Sequence, residues 1–107
     1  MDFMVVTFCS SCYTDELLEE YPFMKNVKIY TADPHDFPVG VLGATNRIDE
    51  VYIRRDLLRS SYDEFLHVLF HEAEHFRRPS WFPEWIIDLE ARMKVAKKKV
   101  EKLSYII

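Results

Sequence analysis

Glycine is scarce in this chain, at 2 of 107 residues, and so is cysteine, also at 2. A loop that cradles phosphate needs several glycines to bring backbone N–H groups close to the anion, and too few are present to build one. Cys9 and Cys12 make one C-x-x-C, and no second pair exists to complete a zinc ribbon. The pair is read as structural or incidental rather than as a redox centre, since the rest of the chain lacks the pattern of a thiol oxidoreductase. No stretch approaches the ~20 consecutive apolar residues of a membrane span. The opening residues, Met1-Asp2-Phe3-Met4-Val5-Val6, lack the basic flank of a secretory signal. These absences lead us to expect a soluble, cytoplasmic protein. Positive charge is also in short supply, with 14 Lys and Arg against 18 Asp and Glu for a net charge of -4. Nucleic acid is thereby disfavoured as a partner, because binding to phosphates requires a basic surface. The local exception, Lys94, Lys97, Lys98, Lys99 and Lys102, reads as a solvated helix face.

What is present is apolar and aromatic: 49% hydrophobic residues and 15% aromatics, enough for one modest core in a single domain over residues 1–107. Residues 4–8 read as a strand. Thr14 or Asp15 caps a helix that ends before Pro22. Residues 26–30 alternate as a second strand, residues 32–38 form a loop, and residues 39–53 read as a hairpin turning at Asn46-Arg47. A short helical turn at residues 56–58 leads to a long helix capped by Ser60 or Ser61, which Pro79 must stop. A last helix restarts at Pro83 and runs to about Lys102, with Phe82, Ile86, Leu89, Met93, Ala96, Val100 and Leu103 as its apolar stripe. The order implies an α+β fold with a small mixed or antiparallel sheet, an N-terminal helix, a motif-bearing helix and a C-terminal helix rich in acids.

The long helix carries His71-Glu72-Ala73-Glu74-His75, the H-E-x-x-H pattern. A step of four residues at about 100° each returns the second imidazole to the face of the first, so both can approach one ion while Glu72 stands beside them as general base. A catalytic zinc usually takes three protein ligands. Position 81, where one related pattern puts a third histidine, is Trp81, and that pattern is excluded. His35 lies in a loop, and His67 is a further turn along the helix, too far for the same ion. The next helix offers Glu84 and Asp88 one turn apart, a spacing that suits a ligand followed by an acceptor for a histidine N–H. Glu84 is the expected ligand, Asp88 the expected brace, and Glu90 the competitor for the ligand position.

With this set of residues the chain resembles a gluzincin, in which the motif helix is followed by a glutamate helix of the form E-x-x-x-D, here Glu84 to Asp88. More closely it resembles the minigluzincins, minimal soluble metallopeptidases of thermophilic prokaryotes that are similar to the catalytic domains of membrane metallopeptidases. Residues 76–83, between His75 and Glu84, form a shorter spacer than most gluzincins have. The resemblance implies a zinc endopeptidase acting on peptides or proteins, kept latent as a zymogen by its C-terminal segment. The tail at residues 104–107 would then either occupy the cleft or pack elsewhere. Substrate is expected to pair antiparallel with an edge strand that includes Val51-Tyr52-Ile53. Tyr52, Tyr62, His35 and Tyr105 are equal candidates to assist the oxyanion, and a homodimer is a candidate state. The competing reading is a non-catalytic, metal-supported binding or regulatory module on a peptidase scaffold.

Overall fold

Four short strands pair in the order β1-β2-β4-β3: β1 (Val6–Phe8), β2 (Lys28–Ala32), β3 (Gly43–Thr45) and β4 (Glu50–Arg54). The computed structural model describes residues 6–9 and 12–104. The expected latency tail therefore lies outside the described residues except for the backbone of Ser104. β2 and β4 are parallel, while β1 and β3 pair antiparallel to their neighbours, so the sheet is mixed. Helix α1 (Thr14–Glu20) follows β1, and α2 (Tyr62–Arg77) and α3 (Glu84–Ser104) follow the sheet. The fold is α+β, and no described helix is long and apolar enough to cross a membrane.

Several local readings change for identifiable reasons. Pro22 ends α1 as expected, but the chain continues as a 3₁₀ turn over Pro22–Asn26, which delays β2 to Lys28. The helix cap is Tyr13, held at φ 50, rather than Thr14 or Asp15. Gly40, at φ +83, turns the chain where a strand was expected, with Val41 N–H bonded to Pro38 O, so β3 begins only at Gly43. The segment Val51-Tyr52-Ile53 is not an edge: β4 is flanked by β2 and β3, and β3 is the edge on that side. Val51 and Ile53 point into the core instead, beneath α2. Ser61 caps α2 by accepting from Glu64 N–H, and Arg78 leaves the helix in an extended conformation, the geometry favoured before a proline. Cys9 and Cys12 are joined by a disulfide between β1 and α1, and Cys12 is buried in the core.

The largest correction concerns α3. Ile87, Ala91, Val95 and Lys98 face inward, whereas Leu89, Met93, Val100 and Leu103 of the expected core stripe are 48–65% exposed. The helix is apolar on more than one side, and electrostatics decides which side packs. Buried Lys98 meets Glu20 at 3.2 Å and also Glu19, while Lys94 lies 3.5 Å from the fully buried Glu74 of α2 and 4.0 Å above the Tyr21 ring. Ala91 supplies the small side chain that lets the helices approach.

Burial alone would raise the Glu20 carboxyl, but bonds from Lys97 and Lys98 overcome it and hold the group below its ordinary value of 4.5. A depressed carboxyl stabilises the fold above its unfolded pKa, and that contribution is lost as pH falls through the folded value. Lys98→Met is expected to cost roughly 1–3 kcal/mol near neutral pH. Chemical denaturation between neutral and acid pH should show this deficit shrinking once the pH drops below the carboxylate range; a deficit independent of pH would contradict the pairing.

Candidate metal centre

Helix α2 sorts its motif by direction. Ala73 faces the core and Glu74 the seam with α1 and α3, while His71 and His75 look into a cavity of about 500 Å³ between α2, α3 and the β3 edge. The cavity is walled by the 40–45 segment on one side and by Glu84 and Asp88 of α3 on the other.

His71 Nε2 and His75 Nε2 each lie 3.2 Å from the same atom, Glu84 Oε1, and the two ring centroids are 5.0 Å apart. Ligand atoms around a tetrahedral ion with bonds of 2.0–2.1 Å are separated by roughly 3.3 Å, so these spacings match two edges of such a tetrahedron. His71, His75 and Glu84 therefore fit a divalent ion in both donor type and separation. Glu90 is directed elsewhere, accepting from Arg78 Nη2 at 2.7 Å. The short connection over residues 76–83 suffices because Phe82 N–H bonds to Pro79 O, turning the chain so that α3 folds back along α2.

Asp88 reaches two histidines. Its Oδ1 lies 2.7 Å from His67 Nε2 and 3.5 Å from His71 Nδ1, and its Oδ2 accepts from Arg92 Nε at 2.7 Å. Burial would raise this carboxyl, but the bonds to His67 and Arg92 keep it below its ordinary value, so it braces as an anion. With a metal ion on Nε2, the His71 proton would sit on Nδ1, on the side of Asp88. His67 is thus more than a half-buried helix residue: with His71 and Asp88 it makes a second, overlapping ligand-type group.

Glu72 is nearly buried on the cavity wall beside β3, and burial pushes its carboxyl up to about 7, with His71 opposing the rise and Glu84 adding to it. Burial also lowers the His75 imidazole, against the pull of Glu84, favouring the neutral ring that a metal requires. Gly43 makes this packing feasible. A Cβ there would meet Val68 Cγ1 at 3.0 Å, Tyr52 O at 3.2 Å and Glu72 Cγ at 3.3 Å.

The structure adds Arg47, which the sequence did not single out as a site residue. Asn46 Oδ1 accepts from the N–H groups of Ile48, Asp49 and Glu50, fixing the β3–β4 turn with Arg47 at φ 62. That turn projects the guanidinium to 3.2 Å from His75 Nδ1. A turn residue after a strand gives no local sign of this; only the pairing of β3 beside α2 creates it. Of the expected oxyanion helpers, Tyr52 donates to Glu50, Tyr62 packs on Tyr13, and His35 is solvent-exposed beside Asp33, all away from the cavity lining. Tyr105 lies outside the described residues.

No protein-family model matches the chain, and neither curated proteins nor solved structures give a significant match.

Isothermal titration with a divalent ion should give one site per chain, abolished by His71→Ala. Glu84→Gln should weaken binding at least about 10–100-fold, the loss typical of even an outer-sphere partner. Glu90→Gln should leave binding unchanged; the reverse ranking of the two glutamates would transfer the ligand position to Glu90.

Proposed function

We propose that the chain is a zinc-dependent peptidase of the gluzincin type, similar to the minigluzincins, acting on peptide or protein substrates. The observation that carries this reading is the approach of His71 and His75 to one oxygen of Glu84 at 3.2 Å, with Glu72 on the adjoining wall of the same cavity. A zinc ion held by His71, His75 and Glu84 would polarise a substrate carbonyl and acidify water. The chain's own groups supply the rest. Glu72 accepts the proton of the attacking water and returns it to the departing amine. Asp88, 3.5 Å from His71 Nδ1, would brace that ring with Nε2 turned inward.

Substrate would lie along β3, the strand edge that borders the cavity, taking main-chain hydrogen bonds in an antiparallel arrangement. Recognition of backbone in this way carries little side-chain selectivity. Arg47, at the end of that edge, is the electrophilic helper in this reading. For His75 to offer Nε2 as a ligand, its proton must sit on Nδ1, and a guanidinium cannot donate to an N–H. With Nε2 engaged, Arg47 would lose the ring as an acceptor, and its guanidinium at the cavity wall would be free to stabilise the carbonyl oxygen as charge develops on it.

With zinc-loaded protein and an unfolded protein as substrate, Glu72→Gln should lower turnover about 10²–10⁴-fold, the range of a lost general base. Arg47→Ala should lower kcat roughly 10²-fold, as for an oxyanion donor. Zinc content should stay at one per chain in both. Cleavage at an undiminished rate by Glu72→Gln would remove Glu72 as the base, and absence of cleavage by the unaltered zinc-loaded protein would sink the peptidase reading and favour a metal-supported binding module.

A further inference from the structure

The outward stripe of α3 has a regularity that a solvated helix does not need. Phe82, Ile86, Leu89, Met93, Ala96, Val100 and Leu103 follow one another at alternating steps of four and three residues, an unbroken heptad pattern. Ile86, Met93 and Val100 occupy one seam position and Phe82, Leu89, Ala96 and Leu103 the other. From Leu89 onward these side chains are exposed, and Trp81 and Trp85 extend the patch at 78% and 70% exposure. The helix is 21 residues long, about 31 Å at 1.5 Å per residue. Adding the exposed parts of these side chains gives on the order of 700 Å², larger than the usual patch on a monomer and close to the ~800 Å² that each partner contributes to a standard interface.

We propose that α3 packs antiparallel against α3 of a second copy of this chain, through this heptad face. The flanking charges favour another copy over a lipid surface. Arg92 bonds to Asp88 at 2.7 Å, Lys97 to Glu20 at 3.0 Å and Lys99 to Asp63 at 2.8 Å, so each cation is already neutralised within its own chain. An anionic membrane attracts bare cations, and the chain as a whole carries -4. At a seam between two copies each of these cations keeps the acidic partner of its own chain. Direction follows from side-chain size and charge. In the antiparallel alignment Met93 lies against Ala96 of the second copy, Leu89 against its Val100 and Ile86 against its Leu103, so the small Ala96 meets a long side chain, whereas the parallel alignment would set it against a second Ala96. Glu90 then comes beside Lys97 of the second copy, and Arg92 beside its Lys99. The parallel alignment instead sets Arg92 against Lys97 on both sides, with no opposing pair to offset it.

Sedimentation velocity on the full chain over about 1–200 µM, within the affinity range of interfaces of this size, should show a two-chain mass that falls to one chain on dilution. Met93→Glu should give one-chain mass with unchanged helical circular dichroism, and Leu103→Glu should do the same if the first variant folds poorly. An equal mixture of Leu89→Cys and Val100→Cys proteins should oxidise to the mixed pair, while neither cross-links alone. One-chain mass for the unaltered protein across the whole range overturns the proposal, and does so in favour of a lipid surface if the monomer sediments with phosphatidylglycerol vesicles. Self-cross-linking of Leu89→Cys alone overturns the antiparallel arrangement. The proposal does not rest on the metal centre, and His71→Ala should leave the two-chain mass in place.

Discussion

The buried carboxylate of Glu74 is the tie on which the arrangement of the helices depends. It sits within the motif itself, between residues that face the cavity, and is fully buried on the neighbouring flank of α2. Tyr21 at the end of α1 donates to its Oε1 at 2.7 Å, Lys94 of α3 approaches the same oxygen at 3.5 Å, and Arg78 lies 3.6 Å from the other. Burial, followed by the bond to Glu74, pushes the Tyr21 phenol well above its ordinary value, so it stays a donor. An uncompensated carboxylate in this position would cost several kcal/mol, so α3 is held where Lys94 can reach it. That registration also sets Glu84, nearly three turns earlier on α3, opposite His71 and His75.

One helix therefore serves two chemistries by direction alone. Ala73 and Glu74 belong to the packing, and His71, Glu72 and His75 to the cavity. The sheet contributes a close wall rather than side chains, since Gly43 leaves β3 room to lie against Val68 and Glu72. Asp88 works between the two, anchored by Arg92 on one oxygen and presenting the other to His67 and His71.

Much of this could be read from the chain. The α+β order, a serine cap at the start of α2 and the stop before Pro79 follow from local chemistry that acts over a few residues. The spacing of His71 and His75 needs only helical geometry, and placing Glu84 near them needs only the length of the turn before it. The rest depended on contacts distant in sequence. Which side of α3 faces inward was settled by Glu19, Glu20 and Glu74, none of which lies near α3 in the chain, and apolar periodicity alone pointed to the wrong side. Strand order has the same character: β4 is enclosed because β2 pairs with it in parallel, a register that no local pattern reports. Arg47 reaches the cavity only once that order is established.

The two indoles of the chain, Trp81 and Trp85, are both solvent-exposed and stand on either side of Glu84 in sequence, while the interior is built from phenylalanine, tyrosine and aliphatic side chains. Their emission is consequently a local optical signal rather than a global one. Excited selectively, they report on the turn between α2 and α3 and on the start of α3, and the remainder of the protein stays dark at that wavelength.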